Sequence, residues 1–333
     1  MYRGLRRVKE VFFAMKFQAL PMAFVVAAAL MLGACGGGGG STGGGPPPPV
    51  TPPPVTPPPP VTPPDPPQEP SVVRLEDFLE RSDTLLVSGL RTRYSLSVDG
   101  EMIDETLVEP MSCSGTRCVA GDGTEITVRS LIEPAATADE LDVALGSRDG
   151  FDTVSASGDF EISEVLSGVT VSASPDVDSY GFWGEHGFAA VQIGSGALTV
   201  RIDGTPYTGN FDTASAYALG DASGTNPAGT GSASWTGIAE AVTISDFVRH
   251  MGTATVTIAD LSQPRVGVAI EVPGQSIGAA GWADMPLVAG GFSTGTTGSD
   301  YLSGNFHGDE HQEAWGLFDT ADHIGAFGAT REQ

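Results

Sequence analysis

Between residues 301 and 331, glycine and aromatic residues recur at hairpin spacing, with Gly304, Phe306, Gly308, Gly316, Phe318, Gly325, Phe327 and Gly328 spread over three short runs. Successive side chains of a strand point to opposite faces. The segment therefore reads as three strands at the closing edge of a β-barrel. Five further runs, at 182–193, 233–244, 253–260, 265–272 and 287–293, join 301–307, 313–319 and 324–330 to make eight. Eight antiparallel strands suffice to close a barrel and remove both sheet edges. Small and large residues alternate in them, as in 235–244, which suits an interior filled by side chains. A transmembrane barrel needs strands of about ten residues with an outward apolar band, and these runs are too short, polar and glycine-rich for that. All four tryptophans (Trp183, Trp235, Trp282, Trp315) fall in this half, and 204–232 reads as a long excursion between the first two strands.

The amino terminus points to the cell envelope. Arg3, Arg6, Arg7, Lys9 and Lys16 precede an apolar run over 23–32 that ends in Leu32-Gly33-Ala34-Cys35. Such a run is too short for a stable membrane span and fits a cleaved signal peptide, residues 1–34. Small residues before a cysteine resemble a bacterial lipobox, which predicts diacylation of Cys35. Met15-Lys16 also makes a conventional signal start, so 1–14 reads as an extension ahead of the true start. From 36 to 70 the chain is a tether, glycine-rich and then proline-rich. Polyproline II rises about 3.1 Å per residue, so 46–70 reaches on the order of 75 Å. No Asp follows Cys35, which favours the outer membrane.

Removing 1–34 takes away five basic residues and Glu10, leaving 11 basic and 40 acidic side chains and a net charge of about −29. Every remaining basic residue is arginine. Nucleic acid and anionic lipid headgroups require a positive surface, so both are excluded as partners. The charge serves solubility and suits a cationic partner.

Between 71 and 178 the chain reads as a small, mainly β accessory domain. Val72, Leu75, Phe78, Leu79, Leu85 and Leu86 approximate a helical stripe, predicting one short helix. Tyr94, Leu96 and Val98 alternate with polar residues up to Asp99-Gly100, a hairpin signal, and the partner strand starts at Met102. Further strands are expected at 124–131, 153–157 and 169–173. Cys113 and Cys118 flank Ser-Gly-Thr-Arg, and an exported chain meets an oxidising compartment, so a disulfide is expected. A metal site would need two more ligands, and a redox pair usually has C-x-x-C spacing.

The carboxy-terminal positions Gly304, Phe306, Gly308, Glu313, Gly316, Phe318, Gly325, Phe327, Gly328 and Ala329 resemble the last strands of the barrel domain of transferrin-binding protein B and its lipoprotein relatives. Residues 180–188, 224–237 and 252–258 are similar to earlier segments of single-lobed relatives, so the likeness covers about 150 residues, 179–333. It implies a lipid-anchored accessory "handle" plus a soluble barrel. It also implies capture of a protein or metal-carrier ligand by loops at one end, beside an outer-membrane transporter. Those loops vary between members, so no ligand-binding residue is implied. Classical transferrin binders have two lobes and this chain has one. A structural or adhesive envelope lipoprotein is the other reading.

Patterns that suggest chemistry have structural explanations. His307-Gly-Asp-Glu-His311 fits the H-x-x-E-H zinc-peptidase motif, which must lie on a helix; here it reads as a hairpin turn. Gly274-Gln-Ser-Ile-Gly278 and Gly291-Phe-Ser-Thr-Gly295 fit G-x-S-x-G, yet no helical pattern follows either. There is no phosphate loop, and after Cys35 no lysine to complete one. His186, His250 and His323 read as isolated. No enzyme activity and no cofactor are expected.

Overall fold

In the structure, a computed structural model, residues 72–332 are described apart from 99–100, 109–110, 121–124, 138–141, 160–161, 167–168, 203, 279 and 295–299. The signal segment, Cys35 and the tether lie outside the described residues.

Two α-helices, one 3-10 helix (Ala280–Ala283) and twenty strands are present among the described residues: α1 (Val72–Glu80), β1 (Leu86–Val98), β2 (Glu101–Val108), β3 (Met111–Ser114), β4 (Arg117–Ala120), β5 (Glu125–Thr127), α2 (Val128–Thr137), β6 (Asp142–Arg148), β7 (Phe151–Asp159), β8 (Ile162–Leu166), β9 (Val169–Trp183), β10 (Gly187–Ile202) and β11 (Thr205–Gly220), followed by β12 (Ala233–Thr243), β13 (Arg249–Ile258), β14 (Arg265–Val272), β15 (Gln275–Ile277), β16 (Met285–Val288), β17 (Gly291–Ser293), β18 (Asp300–His307), β19 (Glu313–Thr320) and β20 (His323–Arg331).

The last group contains the expected barrel. Strands β12, β13, β14, β16, β17, β18, β19 and β20 pair in sequence, and β20 pairs back on β12 to close an eight-stranded antiparallel ring, with β15 a short hairpin arm on β14. The interior holds Trp235, Val256, Ile270, Trp282, Phe292, Phe306, Phe318 and Phe327, all buried. The glycine–aromatic alternation has a direct packing cause. Gly304 pairs with Phe292, Gly316 with Phe327, Gly325 with Phe318 and Gly328 with Trp315, and a Cβ at any of these glycines would run into its partner's ring. Each ring lies flat over the bare backbone of the next strand, a cross-strand pairing that fixes register.

Membership of the ring departs from expectation in two places. The run 182–193, expected as the first barrel strand, is the end of β9 and the start of β10 in a different sheet. The expected single strand 287–293 is instead two, β16 and β17. Ala289 and Gly290 both take positive φ (49° and 79°), the geometry of a tight two-residue hairpin turn, so the run folds back on itself. The loss of one strand and the splitting of another leave the count at eight.

The other large sheet has the order β2-β1-β11-β10-β9-β7-β6, with β8 also on β9. The stretch 204–232, expected as an excursion, supplies β11, paired with β10 along its whole length from Ile202↔Thr205 to Gly187↔Gly220. The β layer that precedes the barrel therefore runs on to Gly220, well past residue 178, and Trp183 belongs to it. Its two faces alternate cleanly. Phe188, Ala190, Tyr217 and Leu219 lie under α1, α2 and the three-stranded ribbon β3-β4-β5. Phe182, Ala189, Val191, Ala214, Ala216 and Ala218 lie against Ile238, Val242, Trp315, Leu317, Ile324 and Ala326 on the outside of the barrel. Strand β19 is buried at every residue because its inner face fills the barrel and its outer face meets the sheet.

The expected helix is present but ends at Glu80, with Leu75, Phe78 and Leu79 buried. The predicted strand 124–131 breaks after Thr127 into α2. Thr127 caps that helix: its Oγ1 accepts the Ser130 N–H (3.2 Å), and Ser130 Oγ accepts the Thr127 N–H (3.0 Å). The buried Val128, Leu131 and Ile132 then follow helical spacing. β1 and β2 form the expected hairpin, with Val98 opposite Glu101.

Candidate functional site

Cys113 and Cys118 face one another across β3 and β4 and are joined in a disulfide, with Cys118 buried beneath the helices. The bond is architectural. His307 ends β18, and His311 sits in the β18–β19 turn with φ 58°, its Nε2 next to Thr225 Oγ1 (3.1 Å). The two rings do not converge. Ser276 lies in the short β15 and donates to Glu271 (2.6 Å), and Ser293 lies in β17, so neither occupies a strand-to-α-helix elbow. Among the described residues no group of three or more His, Cys, Asp or Glu side chains is arranged to hold a metal ion.

Two histidines expected to be isolated are neighbours. His250 on β13 and His323 on β20 flank Thr243, with ring centroids 6.5 Å apart and His250 Nε2 2.7 Å from Thr243 Oγ1. His323 is held below the usual imidazole range, mainly by burial. Both lie at the barrel end formed by 244–248 and the β19–β20 turn.

The most heavily wired polar site joins sheet to barrel at the opposite end. Glu313, first residue of β19, reaches into the β9–β10 turn, where its carboxylate accepts the backbone N–H groups of Glu185 (2.8 Å) and His186 (3.0 Å) and the Trp315 indole N–H (2.8 Å). A Cβ on Gly184 would displace that carboxylate, and one on Gly187 would strike the Trp315 indole. The sequence Gly184-Glu-His-Gly187 is thus a socket for the barrel. Arg81, just after α1, donates to the Glu185 carbonyl (2.9 Å) and lies 3.6 Å from Asp221, which accepts from His186 (3.0 Å). Beside them opens a cleft of about 590 Å³ rimmed by Glu185, His186, Glu310, Glu313, Arg331 and Glu332. Across the strand pair from Glu313 lies His307, fully buried, with no hydrogen-bond partner on either ring nitrogen. Burial first, and the neighbouring His186 second, push its pKa down to about 3.

A second polar surface is the barrel-facing side of the sheet where it outruns the barrel. Arg93 marks the limit: it binds Asp319 (2.7 Å) and the Thr320 carbonyl (3.1 Å) at the end of β19. Beyond it β9, β10 and β11 continue, and Ser174, Asp176, Asp178, Ser195, Ala197 and Asn210 are exposed there. Asp142, Asp159, Asp176 and Asp178 line a shallow groove of about 330 Å³. The Asp176 carboxyl is raised, first by a hydrogen bond to Asp159 and then by the negative charge of Asp159. Arg148 and Arg249 both bind Glu240, and Arg265 binds Asp284.

Sequence reasoning missed the Glu313 socket and the acidic groove. The glycine pair at 184 and 187 was the one available signal for the first. The second depends on a strand register that brings residues 142, 159, 176 and 178 together.

No family model matches the chain, and no curated protein matches it. Among solved structures, transferrin-binding protein B of Haemophilus parasuis matches over 72% of this chain and 45% of its own, at 10% identity and a TM-score of 0.30. The isotype 1 protein of serogroup B Neisseria meningitidis matches over 75% and 78%, at 10% identity and a TM-score of 0.28. A protein of unknown function from Nostoc punctiforme matches over 74% and 95%, at 7% identity and a TM-score of 0.22. The chain spans less than half of the Haemophilus protein's length. At TM-scores this low nothing is carried from these proteins to this chain.

Proposed function

We propose that the chain is an outer-membrane lipoprotein, anchored through diacylated Cys35 and displayed on the proline-rich tether. It binds a protein or metal-bearing ligand without carrying out chemistry on it, beside an outer-membrane transporter. The observation that carries the binding reading is the anionic sheet face that runs past the barrel end. It carries mainly small Ser, Thr, Ala and Asp side chains, with four aspartates lining its groove, and is bordered by the loops 244–248 and 321–322. A cluster of charges of one sign favours encounter with a partner of the opposite sign. The barrel is the rigid support, since its interior is filled.

The lipidated full-length chain, immobilised and challenged with host fluids and with iron- and zinc-loaded carrier proteins, tests this reading. One saturable partner whose binding weakens when Asp159 and Asp176 are changed to Asn supports it. Absence of any partner under all these conditions leaves the structural or adhesive reading. Cys35→Ala moves the protein out of the detergent phase; retention there contradicts lipidation. Protease treatment of intact cells removes the chain if it is displayed, and full protection of the intact-cell epitope contradicts display.

A further inference from the structure

His307 lies where the sheet and the barrel meet, and nothing else in the proposed function uses it. Among the described residues, several buried side-chain atoms without a partner gather at this seam: Arg81 Nε, Asp221 Oδ1 and both ring nitrogens of His307. An imidazolium has two N–H donors and needs two acceptors, whereas the closed seam satisfies neither.

We propose that His307 makes the seam between the β9–β10 turn and the β18–β19 turn an acid-released latch, closed while the ring is neutral and opened locally, with the barrel intact, when it takes up a proton. The groups around the ring come from every element packed there. The β9–β10 turn presents His186 and Glu185, the segment after β11 presents Asp221, and the segment after α1 presents Arg81. Glu313 stands opposite His307 on β19, while Asp309, Glu310 and His311 follow it in its own turn, and Arg331 on β20 reaches the Glu310 carbonyl (3.1 Å). His186 and Arg81 both meet Asp221 through Oδ2, and Glu313 is held by three N–H donors, so in the closed seam no carboxylate oxygen is hydrogen-bonded to His307. The Asp221 carbonyl favours the charged ring without making a hydrogen bond to it.

The seam, not the barrel, gives way because Phe306 fills the barrel interior, and the strand's alternation turns the next residue, His307, to the opposite face. It ends a strand whose next residue, Gly308, already has a positive φ of 77°. Opening admits water to both ring nitrogens and costs the contacts of Glu313 and Trp315 with the socket. The sign follows from linkage. The ring is held far below the ordinary imidazole value, so the closed seam is at full strength above about pH 6.5. Below that, the open state binds a proton that the closed state does not. Closure therefore weakens by up to about tenfold for each pH unit.

The test uses the full lipidated chain in detergent and hydrogen–deuterium exchange at pH 7.5 and 5.0, corrected for intrinsic exchange. Segments 184–188 and 306–313 are expected to lose protection by up to about thirtyfold, the linkage limit for one and a half pH units, while β12 to β14 keep theirs. His307→Phe, which fills the same space and takes no proton, retains protection at pH 5.0, and His186→Gln still loses it. Equal protection of wild type at both pH values overturns the proposal, as does equal acid loss in His307→Phe. Should that variant fail to fold, ¹⁵N-histidine NMR of the wild type decides. A His307 ring that stays neutral until the seam opens supports the latch, and one that titrates near pH 6.5 in the closed seam refutes it. Neither readout depends on whether a ligand is found for the acidic face.

Discussion

The barrel and the sheet beside it are both antiparallel and of similar strand number, yet they solve the edge problem differently. The barrel closes on itself with strands of at most eleven residues and needs aromatic rings to fill its bore. The sheet stays open, uses strands of fifteen and sixteen residues, and is covered by helices on one face and by the barrel on the other. A surface that must lie close to another sheet favours alanine, and Ala214, Ala216 and Ala218 along β11 have essentially no exposure. Closure rewards large residues at spaced positions, whereas flat apposition rewards small ones in series.

That contrast can be broken most sharply from inside the barrel. Phe306 is buried against Trp235 and Phe292, with ring centroids at 4.6 and 5.4 Å. Phe306→Ala is expected to cost about 3 to 5 kcal/mol in denaturant unfolding, because the closed ring cannot collapse onto the cavity; an unchanged midpoint would contradict that packing. At the contact between the two bodies, Arg93→Ala leaves Asp319 buried without its cation and should cost about 3 kcal/mol. Asp319→Asn should be milder, since burial already raises the Asp319 carboxyl despite Arg93. Gly187→Ala drives a methyl into the Trp315 indole and should cost about 2 kcal/mol by overpacking. Its signature is exchange at the sheet–barrel contact, with the barrel interior unaffected. On the helix side of the sheet, Tyr217 donates to the Leu131 carbonyl (2.8 Å) in a buried site. Tyr217→Phe should cost about 1 kcal/mol, and a larger loss would show that α2 depends on that bond alone.

The same contrast explains what could be read in advance. The barrel strands from 233 onward announced themselves through Trp235, Phe306, Phe318 and Phe327 set between glycines, because ring-over-glycine pairing writes both partners into the sequence. Strand β11 carries Thr-Ala-Ser-Ala-Tyr-Ala-Leu-Gly over 213–220, which has low hydrophobic contrast and reads as a loop although it is central to its sheet. The helix α2 was hidden because Ile126 and Val128 alternate as in a strand just before Val128, Leu131 and Ile132 take up helical spacing. Ala289-Gly290 was a turn in plain view, overlooked because apolar residues continue on either side. At the seam, the motif glycines at 184 and 187 were visible as a likeness. Their reason, a carboxylate and an indole delivered from more than a hundred residues away, lies in tertiary structure alone.

Among its described strands the barrel is a simple meander whose one distant seam joins β12 to β20, with Trp235 opposite Arg331. A chain emerging amino end first must therefore hold seven ribbons as an unzipped fan, with two raw margins, until its final nine-residue strand arrives.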